Sequence, residues 1–170
     1  LTNQLREDTE EAIFGELSYD FTDQLTASAG LRWFKTENSL KGFFGFNDNY
    51  SSNYGEALCF SDQQFRGSPC TNLDDEVDED GTVPRFNVTY RFSDDRLVYA
   101  TYSEGFRPGG INRNGTVPPY ESDYLTNYEL GWKTMWADNR VRFNGALFLE
   151  EWDDIQFSFL PPSGAGLTVI

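Results

Sequence analysis

The chain has 170 residues, 28 acidic against 13 basic side chains, a formal charge of −15 and no histidine. The acidic excess argues against nucleic acid, whose phosphates call for clusters of Lys and Arg. Lack of histidine removes Ser-His-Asp chemistry and most zinc sites, so the chain is expected to be no enzyme, with no cofactor and no resident metal.

Aromatic residues make up 16% of the chain, glycine contributes 15 residues and methionine one. That usage favours strands over helices. No apolar run approaches the length of a membrane-spanning helix, and no basic stretch followed by an apolar one marks a secretion signal.

Taken in chain order, the apolar alternation predicts six strands, at roughly 8–21, 25–36, 83–92, 96–104, 123–136 and 140–154. The first pair is joined through YDFTDQL (Tyr19–Leu25), the second through YRFSDDRL (Tyr90–Leu97) and the third through TMWADNRV (Thr134–Val141). Each join has an aromatic residue, a small residue, an Asp and a new alternation. Asp and Asn side chains bond nearby backbone and favour tight hairpins. The other connections are longer: 37–82, 105–122 and 155–170. Short turns therefore lie at one end of the sheet and long loops at the other. Membrane β-barrels of the outer-membrane type have that layout.

Alternate residues separate into two faces. Strand one offers Ile13, Leu17, Tyr19 and Phe21 on one face, against Phe14, Glu16, Ser18 and Asp20. Strand two offers Leu25, Ala27, Ala29, Leu31 and Trp33, against Ser28 and Arg32. Strand three offers Phe86, Val88, Tyr90 and Phe92, against Arg85, Asn87 and Arg91. Strand five offers Tyr128, Leu130, Trp132 and Trp136, against Asn127, Glu129 and Lys133. Strand six offers Val141, Phe143, Leu147 and Leu149, against Arg142, Asn144 and Glu150. In strand four, Val98, Ala100 and Tyr102 and the set Leu97, Tyr99 and Thr101 both qualify as the apolar face. Phe21, Phe92 and Trp136 stand just before short turns, where amphipathic rings form the girdle of a membrane wall. A soluble sandwich would also alternate, but it gives no reason for rings at the turns.

The expected fold is all-β: an antiparallel, up-and-down transmembrane β-barrel segment. Six strands would enclose too narrow a lumen for Arg32, Arg85, Arg91, Glu129, Lys133 and Arg142 with water around them. The chain is therefore expected to be about six strands of a larger barrel, with residues 1–170 forming a partial barrel domain. The partner of its apolar face would be outer-membrane lipid and lipopolysaccharide.

The long connections carry the candidate sites. Cys59 and Cys70 lie in one polar loop and suggest a disulfide and an oxidising compartment. GFFGFNDNYSSNY (Gly42–Tyr54) is rich in rings and amides that could contact a ligand, or could form a lid packed on itself. In the acidic run from Asp74 to Asp80, Glu76, Asp78, Asp80 and Gly81 partly mimic a calcium loop. The twelfth position would be Asn87, however, so solvated charge or cation-bridged lipopolysaccharide is the expectation. Arg107 and Arg113 lie in FRPGGINRNG, whose turn could aim an arginine at an anionic small-molecule substrate. The alternative is an ion pair with the abundant carboxylates. Glu150, Glu151, Asp153 and Asp154 are read as the rim of the wall. Gly164–Gly166 lacks the strand–helix context of a nucleotide loop.

The phrases VPRFNVTYRFSDDRLVYATYSEGFRPGGINR, NYELGWKT and FNGALFLEEWDDIQ, within residues 83–156, resemble the barrel of a TonB-dependent outer-membrane receptor. The resemblance implies a 22-stranded barrel in the outer membrane of a Gram-negative bacterium, plugged by an N-terminal domain. It implies uptake of a scarce nutrient such as a ferric siderophore, energised by the TonB complex. Arg85, Arg91, Glu129, Lys133 and Arg142 would then face the plug or a wet lumen. A passive porin and a soluble binding or adhesion sandwich are the rival readings. The sequence departs from the family in having no plug sequence and no TonB box.

Overall fold

The computed structural model describes residues 1–45, 57–61, 63–159 and 168–169. Six strands form one antiparallel meander: β1 (Thr2–Asp20), β2 (Leu25–Phe44), β3 (Leu73–Ser93), β4 (Arg96–Arg107), β5 (Asp123–Trp136) and β6 (Val141–Asp153). A separate two-stranded ribbon, β7 (Ser158–Phe159) with β8 (Thr168–Val169), lies in the region expected to be loop. No helix occurs among the described residues. The six-stranded sheet does not close, and β1 and β6 are its two edges.

The three predicted hairpins join β1 to β2, β3 to β4 and β5 to β6. In the first turn Thr22 Oγ1 accepts from the backbone N–H groups of Gln24 and Leu25. The second carries a bulge between Arg91 and Ser93, which leaves Phe92 out of the ladder. In the third, Ala137, Asp138 and Asn139 all sit at positive φ, at 54°, 55° and 65°.

Register assigns the faces. Ala29 pairs with Phe86, Phe86 with Tyr102, Tyr102 with Tyr128 and Tyr128 with Leu149. Cross-strand partners share a face, so Val98, Ala100 and Tyr102 are the apolar set of β4. Leu97, Tyr99 and Thr101 join the polar set. The apolar face is bare: Leu17 is 82% exposed, Phe86 50% and Leu147 68%. A contiguous apolar surface of this extent on a protein calls for a non-aqueous neighbour. A sandwich would have buried these side chains against a second sheet, and none covers them among the described residues.

The long loop expected at 37–82 is much shorter. β1, β2 and β3 run well past the wall, to Thr2↔Phe44 and Gly42↔Leu73, whereas the β3–β4 ladder stops at Arg85↔Ser103. About ten residues suffice for a tilted strand to cross the bilayer core. The remainder of β1–β3 is therefore a three-stranded extension standing on the long-loop side. The Asp74–Asp80 run is β3 itself, and an extended strand sends successive carboxylates to opposite faces, so it forms no calcium loop. Residues 46–56, most of the ring-rich stretch, and Gly164–Gly166 lie outside the described residues.

Packing is concentrated in the extension. Phe34, Leu40, Phe43, Cys70, Leu73 and Ile111 are buried, and none belongs to the spanning wall below Phe34. Leu40, Leu73 and Ile111 form one cluster, with Val77 against it. The Phe34 ring stacks on Phe106 at 3.6 Å between centroids. It lies over Gly81, where an added Cβ would approach its Cζ to 2.8 Å.

Candidate functional site

The β1–β3 extension and the loop between β4 and β5 together form the mouth of the structure. Residues 108–122 leave β4 and fold against the polar-face side of the extension. Ile111 fills the cluster of Leu40 and Leu73. Asn38 Oδ1 accepts from the Ile111 N–H at 3.1 Å, and Arg6 donates to the Ile111 carbonyl. Gln4 Nε2 donates to the Arg113 carbonyl at 2.8 Å. From the other direction, Glu79 accepts from Tyr124 Oη at 2.9 Å and from Ser122 Oγ. Burial pushes the Tyr124 phenol up to about 12, and its bond to Glu79 adds to that. A cleft of about 510 Å³ remains between the two parts, with Asn38, Val77, Glu79, Tyr120, Glu121 and Tyr124 on its walls.

The root of the loop is fixed by charge. Arg107 ends β4 and pairs in register with Asp123, which begins β5. Its Nε donates to Asp123 Oδ2 at 3.1 Å, and its Nη2 donates to the same oxygen. Only 2% of the Asp123 side chain is exposed. Burial pushes that carboxyl up, but the Arg107 guanidinium and the Gln156 N–H outweigh it, so its pKa falls below the ordinary 3.8. Gln156 Nε2 donates to the carbonyls of Glu121 at 2.9 Å and Pro108 at 3.0 Å, closing the loop base. Arg107 thus takes the ion-pair role. Arg113 is exposed, and its guanidinium holds no carboxylate among the described residues. Sequence reasoning named Arg107 but missed Asp123 and Gln156. Asp123 is set by hairpin register and Gln156 arrives from beyond β6; the signal available was that Arg107 and Asp123 bracket one loop.

The disulfide joins Cys59 to Cys70, with Cα atoms 6.0 Å apart. It closes a loop anchored below by Asn72, whose side chain bonds both the N–H and the carbonyl of Phe44.

The remaining candidates lie lower, on the polar face. Arg85 pairs in register with Gly30 and Ser103, Arg91 with Leu97, Lys133 with Leu97 and Asn144, and Arg142 with Met135. Glu129 lies between Thr101 and Phe148. The register therefore brings all five to one face. Tyr99 Oη donates to Glu129 at 2.6 Å. Its ring crosses Gly131, where a Cβ would collide with it. The Glu-Leu-Gly order in NYELGWKT thus has a physical reason: the glycine makes room for the ring that holds the glutamate.

Against protein-family models, residues 2–169 match the TonB dependent receptor-like β-barrel. The chain belongs to that family. Among solved structures, this TonB-dependent receptor barrel is similar to the ferric yersiniabactin uptake receptor FyuA of Yersinia pestis. The TM-score is 0.66 at 20% identity, covering 90% of this chain and 21% of that one. It is similar to the ferric-catecholate import receptor Fiu of E. coli, with a TM-score of 0.63 at 16% identity over 88% of this chain and 20% of that one. These likenesses show the fold. Among curated proteins, the ferric-pyoverdine 358 receptor of Pseudomonas putida is 31% identical over 91 residues, which is 52% of this chain and 11% of the receptor. The chain thus spans about a fifth of these structural relatives and about a tenth of the curated one. As in its family, the wall belongs to the bacterial outer membrane, with the short turns on the periplasmic side and the extension outside.

Proposed function

We propose that this chain is the wall and part of the outer mouth of an active importer that takes up a ferric siderophore with energy from the TonB complex. The observation that carries the reading is the family match along nearly the whole chain, on a sheet whose two faces suit lipid and a polar interior. Relatives named for ferric yersiniabactin, ferric catecholate and ferric pyoverdine support the cargo class. The chain is read as one partial barrel domain, with the plug and the other strands supplied by the rest of the receptor and lipopolysaccharide around the extension.

In this reading Arg85, Arg91, Glu129, Lys133 and Arg142 face a plug domain. Two rings on the polar face support an occupied interior over an open water channel. Phe14 is 82% exposed and Phe148 67%, each cross-strand from a charged side chain, Arg32 and Glu129. A water-filled bore gives such rings nothing to pack on, whereas a domain inside it does. Arg113, exposed at the mouth and holding no carboxylate among the described residues, supports a role in meeting an anionic cargo, with Arg107 holding the base of its loop.

The test is uptake of iron-55 by cells whose receptor gene has been deleted and then restored. Restored cells should import a ferric siderophore under iron limitation and stop when the proton gradient is collapsed. Equal uptake with the gradient collapsed would reject active transport in favour of a passive pore.

A further inference from the structure

Arg96 is the one basic side chain on the lipid-facing surface of the spanning strands. Register places it there: it pairs with Thr134, two residues along the same face from Val98 and Trp132. It stands at the short-turn end, level with the aromatic girdle. Its guanidinium carbon lies 4.0 Å from the centroid of the Trp136 ring. That ring is itself held, because Trp136 Nε1 donates to Thr134 Oγ1 at 3.0 Å and Thr134 Oγ1 donates to the Phe143 carbonyl at 2.6 Å. The guanidinium sits over the ring at cation–π distance, and its N–H groups make no hydrogen bond among the described residues.

The charge is also unanswered among the described residues. Asp94 and Asp95 directly precede Arg96, yet neither reaches ion-pair distance, and Arg96 holds no carboxylate among the described residues. Arg32, Lys35, Lys41 and Arg107 each have one. A fixed, unpaired guanidinium at the boundary between hydrocarbon and water faces the phosphates of the leaflet on the short-turn side. Its two-pronged donor edge matches a phosphodiester.

We propose that Arg96, oriented by Trp136, binds the headgroup phosphate of a membrane phospholipid at the periplasmic rim. The site fixes the depth of this part of the wall in the bilayer. It depends on the chain lining an outer-membrane wall and not on what the receptor imports, so loss of siderophore uptake would leave it standing.

The experiment uses the full receptor in maltoside micelles, titrated with short-chain phosphatidylglycerol, with retained lipids counted by native mass spectrometry. Arg96→Gln should retain one lipid fewer and weaken apparent binding about tenfold, roughly the loss of one charge-assisted pair. Arg140→Gln, in the neighbouring turn, should behave as wild type. A diacylglycerol with the same chains but no phosphate should not be retained at that site by the wild-type receptor. Unchanged retention by Arg96→Gln, or equal retention of the phosphate-free lipid by wild type, would overturn the assignment. Compact migration on unheated gels checks that each variant is folded. Should Arg96→Gln fail that check, the comparison of lipids on wild type decides.

Discussion

Leu130 offers the sharpest test of the two-faced wall. It lies six residues before Trp136, which stands in the short-turn girdle. At a rise of ~3.4 Å per residue and a tilt near ~45°, that is about 14 Å along the membrane normal. The apolar band of such a wall is ~25 Å tall, so Leu130 lies near its middle. Its cross-strand neighbours are Ala100 and Leu147, neither able to shield a charge. Leu130→Arg should therefore cost about 2–4 kcal/mol, the penalty of a midplane cation on a barrel's lipid face. The control is Thr101→Arg, at the same depth on the other face, between Asn87 and Glu129. There the new charge gains a carboxylate neighbour, and the cost should stay under about 1 kcal/mol. Guanidinium titration of the full receptor, refolded into phosphatidylcholine vesicles, reads both values. A small cost at Leu130 together with a large one at Thr101 would show that the faces are reversed.

Three other outcomes follow from packing, backbone and charge. Gly131→Val drives a side chain into the Tyr99 ring and breaks the Tyr99–Glu129 bond, so it should lose about 1–3 kcal/mol. Adding Tyr99→Ala should restore part of that loss, visible as coupling in a double-mutant cycle. Ala137→Gly relieves a left-handed alanine whose strain exceeds the added chain entropy of glycine, and should raise stability by about 0.5–1 kcal/mol in the same titration. Asp123 has its pKa lowered in the folded state, so its contribution is complete above the ordinary 3.8 and is lost as pH falls through the lower folded value. Hydrogen exchange at residues 108–122 should accelerate across that acid window, and Asp123→Asn should show fast exchange already at pH 7.

What the sequence disclosed tracks where apolar alternation exists. The three hairpins and the two faces of five strands were legible because hydrocarbon on one side and polarity on the other impose a period of two. β4 was ambiguous alone, as Leu97, Val98, Tyr99 and Ala100 are acceptable on either face, and only pairing with Tyr90 and Trp132 decides it. The extension was illegible for the opposite reason. Both its faces meet water over much of their length, so Thr2–Glu7 and Asp74–Asp80 carry no clean alternation, and the acidic run has poor intrinsic strand preference. They are strands because neighbouring strands pair with them, and because Leu40, Val77 and Leu73 meet Ile111 from a distant loop. At the mouth, Arg107 was visible as a candidate, but its tie to Asp123 belongs to the register of a hairpin with a sixteen-residue step, and Gln156 reaches it from beyond β6.

The buried cluster of Leu40, Leu73 and Ile111 has its own consequence. The membrane holds the lower sheet through contacts that belong to lipid, whereas the outer tower is sustained by a small kernel made of protein. The two should melt as separate cooperative units, with the tower opening while the wall stays inserted. Substitutions can then remodel the face shown to the outside without loosening the barrel's grip on the bilayer.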